Sequence, residues 1–392
     1  VSDLPSGADL VVIGGGVIGA ATAFHAARAG LRVLVLERRP ALATLTTAAS
    51  TGAFRLQFDN QEEFQLVSES VELFLNFGEA TGQDRYDVRI RPQGYLWVTT
   101  SEEGATRQVG LVDDQRSWGL DDVELIEGRD VRTRWPWITS DVVQARWRAG
   151  DGFLDPKELT LGFAAASGAS VAVGSAVVGL RVEGDRVVAV ETSRGVVGCD
   201  AAVIAAGPFS GEVAAWAGIE LPVETVARHK VVLPDVPPVP QDAPMTIDDD
   251  TGAHWRPALG GAYLLFTDPA TPPTPPAEDV PPDHSLAFRL LRPGGRESVA
   301  RIAPFWRDVW EEGTAHWYIQ SGQYTMTPDH RPLIGHTPID NLYVNSGYSG
   351  HGIMGSAAGS RHLIDVIVGK IALSDNVFRL DRVFGKREHD VL

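Results

Sequence analysis

The sequence predicts a mixed α/β protein in which a Rossmann-like domain carries an inserted domain rich in β-sheet. Near the N-terminus an apolar run, a glycine cluster, an Ala-rich segment and a second apolar run follow one another in the order of a βαβ unit. Further along, short β-branched segments separated by Gly, Asp and Pro indicate a separate sheet. With 392 residues, the chain is long enough for two domains that each bury a core.

The predicted elements follow from local patterns. The strand, helix and strand of the βαβ unit are predicted at residues 9–13, 22–29 and 31–37. Apolar residues three and four apart predict an amphipathic helix over 62–77, with its acidic residues facing water at Glu62, Glu63 and Glu69. Asp155 and Pro156 predict the start of a further helix, because Asp caps helices and Pro fits their first turn.

The later part of the chain predicts loops, a hairpin and a closing helix. Proline crowds 235–244 and 269–282, which are predicted surface loops because proline cannot donate to a sheet. Between them, HWRPALGGAYLLF alternates around a Gly-Gly turn as a hairpin does, and a helix is predicted over 355–370. We expect the Rossmann-like domain to comprise residues 1–85, 151–216 and 322–392, and the inserted domain to comprise residues 86–150 and 217–321.

Charge and cysteine content exclude several classes of function. Lys plus Arg total 34 against 51 Asp plus Glu, a net charge of −17, which repels nucleic acid and anionic membranes. The single cysteine, Cys199, allows neither an internal disulfide nor a thiolate metal cluster. Asp248–Asp250 is predicted to be a solvated turn without the ligand set for calcium, and no metal site is expected. The N-terminal segment lacks the basic region of a secretory signal, so we expect a cytoplasmic protein without membrane association.

The glycine loop at residues 14–19 predicts a dinucleotide site. It follows a strand, opens a helix and precedes Glu37 at the end of the next strand, a context that chance matches lack. Gly14 permits a tight turn, Gly16 lets the backbone approach a pyrophosphate, and Gly19 allows close packing of helix and strand. Glu37 is expected to accept hydrogen bonds from ribose hydroxyls. This motif alone leaves FAD and NAD both open.

A second glycine-rich loop near the C-terminus favours FAD. The segment GYSGHGIM at 347–354 follows a predicted strand, and its backbone N–H groups can approach a planar ring and its ribityl chain. An NAD-dependent dehydrogenase has no need of such a loop so far along the chain. An isoalloxazine must be held along its length, so the two loops together predict FAD.

The chain resembles the amine-oxidising branch of the D-amino-acid-oxidase-like flavoproteins. The matching segments are the two glycine loops, residues 200–214 and TPDHRPLIG at 327–335. That branch includes sarcosine oxidase, glycine oxidase and dimethylglycine dehydrogenase. The resemblance implies oxidation of a small amine or N-substituted amino acid by hydride transfer to flavin N5, giving an imine. It implies cofactor contacts at Gly14, Gly16, Val17, Ile18, Gly19, Glu37, Arg38, Ser50, Thr51, Val177, Ala206, Gly207, Gly350, His351, Gly352, Ile353 and Met354.

The resemblance also implies three substrate residues. Arg55 stands where sarcosine oxidases keep an arginine for the substrate carboxylate, although an ion pair with Asp59 is an alternative. Tyr324 aligns with an active-site tyrosine of the same enzymes. Arg256 is a second candidate for binding the substrate carboxylate.

Departures from the family pattern bear on the flavin and its electron acceptor. Gly322 replaces the cysteine to which sarcosine oxidase attaches its flavin, and TAAS at 47–50 lacks the histidine used by dimethylglycine dehydrogenase, so noncovalent FAD is predicted. Met354 replaces a carboxylate-binding lysine. Leu265 stands where sarcosine oxidase has the lysine that activates oxygen by stabilising developing negative charge. A dehydrogenase with another acceptor therefore rivals an oxidase.

Three other assignments stay open at this point. The substrate could be a 2-hydroxy acid, which related folds also oxidise. The chain could be the flavin subunit of a hetero-oligomeric amine dehydrogenase, which would explain the missing lysine. The oligomeric state is likewise open.

Overall fold

The computed structural model describes residues 4–313 and 316–385. The strands in these residues are β1 (Gly7–Ile13), β2 (Val33–Leu36), β3 (Ala53–Phe54), β4 (Tyr95–Thr99), β5 (Glu124–Glu127), β6 (Gln144–Arg148), β7 (Gly152–Phe153), β8 (Ser170–Ala172), β9 (Val177–Glu183), β10 (Arg186–Thr192), β11 (Gly195–Ile204), β12 (Glu224–Leu233), β13 (Met245–Asp248), β14 (His254–Ala258), β15 (Gly261–Leu265), β16 (Tyr318–Met326), β17 (Leu333–His336) and β18 (Leu342–Ser346). The α-helices are α1 (Val17–Arg28), α2 (Thr46–Ala49), α3 (Gln61–Leu75), α4 (Phe77–Thr81), α5 (Glu102–Ser117), α6 (Gly128–Arg134), α7 (Pro156–Ser167), α8 (Ser210–Ala215), α9 (Ser285–Leu291), α10 (Phe305–Glu312) and α11 (Gly352–Ile367).

The first sheet is largely parallel and has the strand order β17-β18-β11-β1-β2-β8. Strands β1, β2, β8, β11 and β18 run parallel, while β17 is antiparallel at the edge. The antiparallel strands β9 and β10 extend from β11. Residues Leu10–Ile13 of β1 are buried on both faces, as expected for a parallel sheet covered on both sides. Helices α1 and α11 pack against each other, and α7 packs on α1.

The second sheet has the order β16-β12-β15-β14-β13-β4-β6-β5 and is antiparallel except between β4 and β13. On one face, Trp255 of β14 packs with Trp306 of α10 in an apolar core that also includes Leu290 of α9. The alternating residues of β12, β14 and β15 point to the opposite face. That opposite face carries Arg228 and Lys230 of β12 and forms one wall of the site described below.

Several local predictions are confirmed. Helix α7 begins at Pro156, and Asp155 accepts hydrogen bonds from the N–H groups of Lys157 and Glu158 at 2.9 and 3.1 Å. The predicted hairpin is β14–β15, but its turn lies at Leu259 and Gly260, one residue before the predicted Gly-Gly turn. Both turn residues have positive φ, as a type I′ turn requires. Helix α1 begins at Val17, five residues earlier than predicted, because the glycine loop leads directly into it.

Two predictions of exposure are wrong. Glu63 is 3% exposed, where it was expected to face water, because it pairs with a buried histidine just before α11. The turn at Asp248–Asp250 is not solvated: Asp248 is fully buried and accepts hydrogen bonds from the Arg301 guanidinium at 2.5 and 3.0 Å. In both cases a charged or hydrogen-bonding partner that is distant in the sequence offsets the free-energy cost of burying the carboxylate.

The strands of the two sheets divide along the chain. Those of the first sheet lie in 1–85, 151–216 and 322–392, and those of the second lie in 86–150 and 217–321, except that β16 runs across residue 322. We propose on this basis that the two sheets mark two domains, with the boundary displaced to the end of β16. None of the described helices has the length and apolar character needed to span a bilayer.

Candidate active site

A cleft of about 1490 Å³, counted with its open mouth, runs from the ends of β1 and β2 to the polar face of the second sheet. Most of the residues predicted to bind the cofactor, and one predicted substrate residue, line it. These are Gly14, Gly16, Val17, Ile18, Glu37, Arg38, Ser50, Thr51, Val177, Ala206, Gly207, Tyr324, Gly350, Gly352 and Ile353. Those that do not line it are Gly19, Arg55, Arg256, His351 and Met354.

The glycine loop forms one end of the cleft and has room for no side chain at two positions. Gly14 has φ +120°, and a Cβ there would overlap the carbonyl oxygen of Ala205 on the neighbouring strand. A Cβ on Gly19 would overlap the carbonyl oxygen of Gly14, so this glycine sets the packing of α1 on β1. Helix α1 starts in the cleft with no acidic residue in its first turn. Its N-terminus therefore suits an anionic pyrophosphate.

Glu37 and Arg38 lie at this same end. Glu37 accepts hydrogen bonds from the backbone N–H groups of Gly15 and Arg39, each at 2.7 Å, and so fixes the glycine loop. The Arg38 guanidinium lies 4.0 Å from the Phe209 ring centroid. Each oxygen of the Glu37 carboxylate can accept a further hydrogen bond, so the side chain can still bind ribose hydroxyls.

The C-terminal loop and β16 meet in the middle of the cleft. Gly350 has φ +104°, and a Cβ there would lie 2.7 Å from the Tyr324 ring. Ser349 donates its backbone N–H to Thr325 O at 3.0 Å. The tyrosine and the glycine loop are therefore packed directly on each other. Burial raises the pKa of the Tyr324 phenol, so the hydroxyl stays protonated and able to donate.

Arg55, His351 and Glu63 form a buried group just behind the lining. His351 Nδ1 lies 2.7 Å from Glu63 Oε1, and its Nε2 lies 3.3 Å from Arg55 Nη2. The Arg55 guanidinium lies 5.1 Å from the Phe58 ring centroid and 5.6 Å from that of Trp97. The predicted substrate arginine and the predicted cofactor histidine are thus brought together, with Glu63, which the sequence analysis assigned to the surface.

Arg256 has its guanidinium committed to the backbone. Nη2 donates to Thr51 O at 2.6 Å and Nη1 donates to Pro257 O at 2.9 Å. Its guanidinium also lies 4.3 Å from the Phe153 ring centroid, and burial lowers its pKa to about 10. These contacts hold the loop after α2 against the second sheet.

Two lining cations on β12 were missed by the sequence analysis. Lys230 is 3% exposed, and its Nζ donates to Ser50 O at 2.7 Å. Burial, together with Arg256 and Lys157, lowers the pKa of Lys230 to about 7. Arg228, two residues earlier on the same face, donates Nη1 to its neighbour's carbonyl, while its Nε has no hydrogen-bond partner in the described chain. Burial lowers the pKa of Arg228 as well. Two cations at alternate positions of one strand, just before the apolar run at residues 231–233, are the signal that could have revealed them.

The charges along the cleft are unevenly distributed. Among its described lining residues, Glu37 is the one carboxylate, and it lies at the glycine-loop end. The second-sheet wall instead presents Arg228, Lys230 and the phenol of Tyr324. Within residues 4–313 and 316–385, no group of three or more His, Cys, Asp or Glu side chains is placed to hold a metal ion.

A family model described as DAO, FAD dependent oxidoreductase, matches residues 9–366. The chain belongs to this family. FAD is therefore the cofactor of this chain, and the cradle at Gly14, the open start of α1 and the glycine loop at Gly350 fit it. The chain is an FAD-dependent oxidoreductase.

Individual relatives extend over nearly the whole flavoprotein. FAD-dependent oxidoreductase domain-containing protein 1 of Xenopus laevis is 29% identical and covers 93% of this chain and 80% of its own. D-amino acid dehydrogenase of Cereibacter sphaeroides is 27% identical and covers 92% of both chains. In structure, glycine oxidase from Geobacillus kaustophilus superposes with a TM-score of 0.83 over 97% of this chain and 100% of its own, at 23% identity. That last likeness establishes the shared fold.

Proposed function

We propose that this flavoprotein oxidises the C–N bond of a small amino acid, primary or N-substituted, to an imine that water then hydrolyses. The family membership supports FAD-dependent oxidation, and D-amino acid dehydrogenase is among the relatives. The observation that carries the choice of substrate is the charge of the second-sheet wall. It offers guanidinium and ammonium groups and no carboxylate among the described lining residues, so it favours a substrate that is itself a carboxylate.

The roles of the residues follow from their positions. The chemistry that bound FAD supplies is acceptance of a hydride equivalent at flavin N5. We assign the substrate carboxylate to Arg228, the guanidinium on the second-sheet wall of the cleft, with Arg55 as the competing assignment made from the sequence. Tyr324, protonated and in the lining, orients the substrate by donating a hydrogen bond. Arg256 supports the loop at Thr51. Among the described residues no carboxylate base lines this wall, so the amine reacts in its neutral form after losing a proton to solvent.

FAD is proposed to be bound without a covalent link. Gly322 lies in the lining with no side chain, and a Cβ there would come 3.0 Å from that of Ala49 on α2. His229, the one histidine among the described lining residues, has its Nδ1 2.8 Å from Ser321 Oγ. Denaturation with acid should therefore release all the flavin into the supernatant, and yellow protein in the pellet would contradict this.

The substrate class is tested by anaerobic mixing of the purified holoenzyme with panels of compounds while the flavin absorbance is followed. We expect α-amino acids and N-methyl amino acids to bleach the flavin and their methyl esters, which lack the carboxylate charge, to do so at least tenfold less effectively. Bleaching by 2-hydroxy acids and not by amino acids would contradict the proposal. A cytoplasmic location is proposed from the single cysteine alone.

A further inference from the structure

Lys230 lies directly opposite Leu265 in the antiparallel pair β12–β15. Opposite residues of such a pair project from the same face of the sheet, with Cβ atoms about 5 Å apart. Both side chains line the cleft. Leu265 is the position at which the sequence lacks a lysine that the resemblance leads one to expect. The structure therefore restores an ammonium group to the same face of the sheet, from the neighbouring strand.

The contacts of Lys230 are with a carbonyl oxygen and an aromatic ring. Its Nζ donates to the backbone carbonyl of Ser50, and it lies 4.3 Å from the Tyr263 ring centroid. No carboxylate forms an ion pair with it in the described chain. A buried ammonium without a counter-ion costs folding free energy, which a methionine or leucine at the same place would avoid. Structural support alone does not account for a lysine here.

We propose that Lys230 supplies the positive charge that assists reduction of molecular oxygen at the flavin, and that this chain is consequently an oxidase. This inference rests on the proposed function for the source of electrons. O2 takes up two electrons and two protons and leaves as hydrogen peroxide. Both electrons and one proton come from the reduced cofactor, which returns to its oxidised form, and the second proton comes from solvent. In its protonated form Lys230 contributes charge only: it stabilises negative charge as it develops on oxygen and gives up no proton.

The same charge acts on the resting flavin, which gives a readout independent of turnover. A cation beside the ring stabilises any species in which the ring carries negative charge, including its adduct with sulfite. Titration of oxidised holoenzyme with sulfite therefore measures the field of Lys230 without substrate or oxygen. We expect Lys230→Met to weaken sulfite binding about tenfold.

The direct test uses enzyme reduced with dithionite and mixed with oxygenated buffer. We expect Lys230→Met to slow flavin reoxidation by about 10²-fold, as loss of one electrostatic group at a reacting centre typically does. Lys157→Met is the matched control: Lys157 is exposed, lies outside the lining and makes the same change of charge near Lys230. It should leave both the reoxidation rate and the sulfite Kd within about twofold.

A double variant that moves the positive charge from Lys230 to position 265 tests whether the charge itself is responsible. Adding Leu265→Lys to Lys230→Met returns the ammonium across the strand pair and should restore most of the oxygen rate and sulfite affinity. Unchanged values in Lys230→Met would overturn the inference. Loss of FAD from both Lys230→Met and Lys230→Gln would also overturn it, since it would assign Lys230 to support of the loop at Ser50. Because dithionite supplies the electrons, these outcomes are separate from any failure of amino acids to bleach the flavin.

Discussion

His351 Nδ1 lies 2.7 Å from Glu63 Oε1, and the two buried residues join α3, near the N-terminus of the chain, to the start of α11. His351 belongs to the glycine loop that packs on Tyr324. Its other ring nitrogen faces Arg55. The loop at the middle of the cleft is therefore anchored from behind by a carboxylate that does not line the cleft.

We predict that Glu63→Ala lowers the free energy of unfolding by about 3 kcal/mol, since it removes one partner of a buried, hydrogen-bonded pair. FAD affinity should fall with it, because the loop at Gly350 loses its anchor. Urea unfolding of the apoprotein and fluorescence titration with FAD measure the two effects.

Glu62→Ala is the matched control for this change. Glu62 is the preceding residue of α3, its side chain is 39% exposed, and it pairs with Arg331 at 3.3 Å. Exposed ion pairs contribute little, so we expect a loss below about 1 kcal/mol. Equal effects of the two substitutions would show that loss of a negative charge from the first turn of α3, and not of the pair with His351, accounts for the change.

The parts of the site predicted from sequence are those that act through the backbone. Gly14 and Gly350 are required by the local φ angle and by close approach of neighbouring atoms, and such requirements leave a mark at fixed positions in the sequence. The βαβ unit, the hairpin and the capped helix α7 are likewise local. Each was predicted because residues within a few positions of one another determine it.

The missed residues depend on contacts between distant segments. Glu63 is buried because of His351, 288 positions away, and Lys230 enters the site because β12 pairs with β15. The sequence did contain one local sign that Glu63 is buried, because Asn60 and Glu63 have the spacing of a capping box. In the structure, Asn60 Oδ1 accepts a hydrogen bond from the Glu63 N–H at 2.9 Å. That spacing turns the Glu63 side chain back towards the helix start and away from solvent.

We predict that Gly14→Ala abolishes stable FAD binding. The residue has φ +120°, and its new Cβ would overlap the Ala205 carbonyl oxygen, so β1 and β11 would have to separate where the pyrophosphate approaches. Gly110→Ala in the exposed part of α5 meets no atom within 4 Å and should raise stability by about 0.5–1 kcal/mol. The flavin-to-protein absorbance ratio after gel filtration measures the effect. A Gly14→Ala protein that retains flavin would show that the loop can shift without loss of the site.

The lowered pKa of Lys230 predicts a stability that rises with pH. In the folded chain the pKa is about 7, below the ordinary value of 10.5, so between these values the unfolded chain binds more protons. The unfolding free energy should therefore increase from pH 7 upwards, by about 2 kcal/mol at pH 9. The groups that act on Lys230 are Arg256 and Lys157, which lower its pKa, and Asp155, which raises it.

Lys230→Met isolates this contribution. The difference in unfolding free energy between the variant and the wild-type apoprotein should be largest at pH 6, where the variant is the more stable, and should shrink towards pH 9. Chemical denaturation at several pH values measures it. A difference that is constant with pH would mean that Lys230 keeps an ordinary pKa in the folded chain.

The last prediction separates the two arginines proposed for the substrate carboxylate. Arg228 lines the cleft, and its Nε has no hydrogen-bond partner in the described chain, whereas Arg55 lies behind His351. Loss of a charge-assisted hydrogen bond costs about 1.5–3 kcal/mol, so Arg228→Met should raise KM for an amino acid by about 10- to 100-fold. The methyl ester of the same amino acid should be affected far less, because it offers no full negative charge.

Arg55→Met gives the contrasting result if Arg228 is the partner. Its effect should fall on protein stability and FAD content, with the ratio of acid to ester rates close to that of the wild type, because its guanidinium contacts His351 and lies near the Phe58 ring. The acid-to-ester ratio is insensitive to a general loss of active enzyme, since both substrates share it. A ratio that collapses in Arg55→Met and survives in Arg228→Met would return the carboxylate to Arg55, as the resemblance to sarcosine oxidases implies.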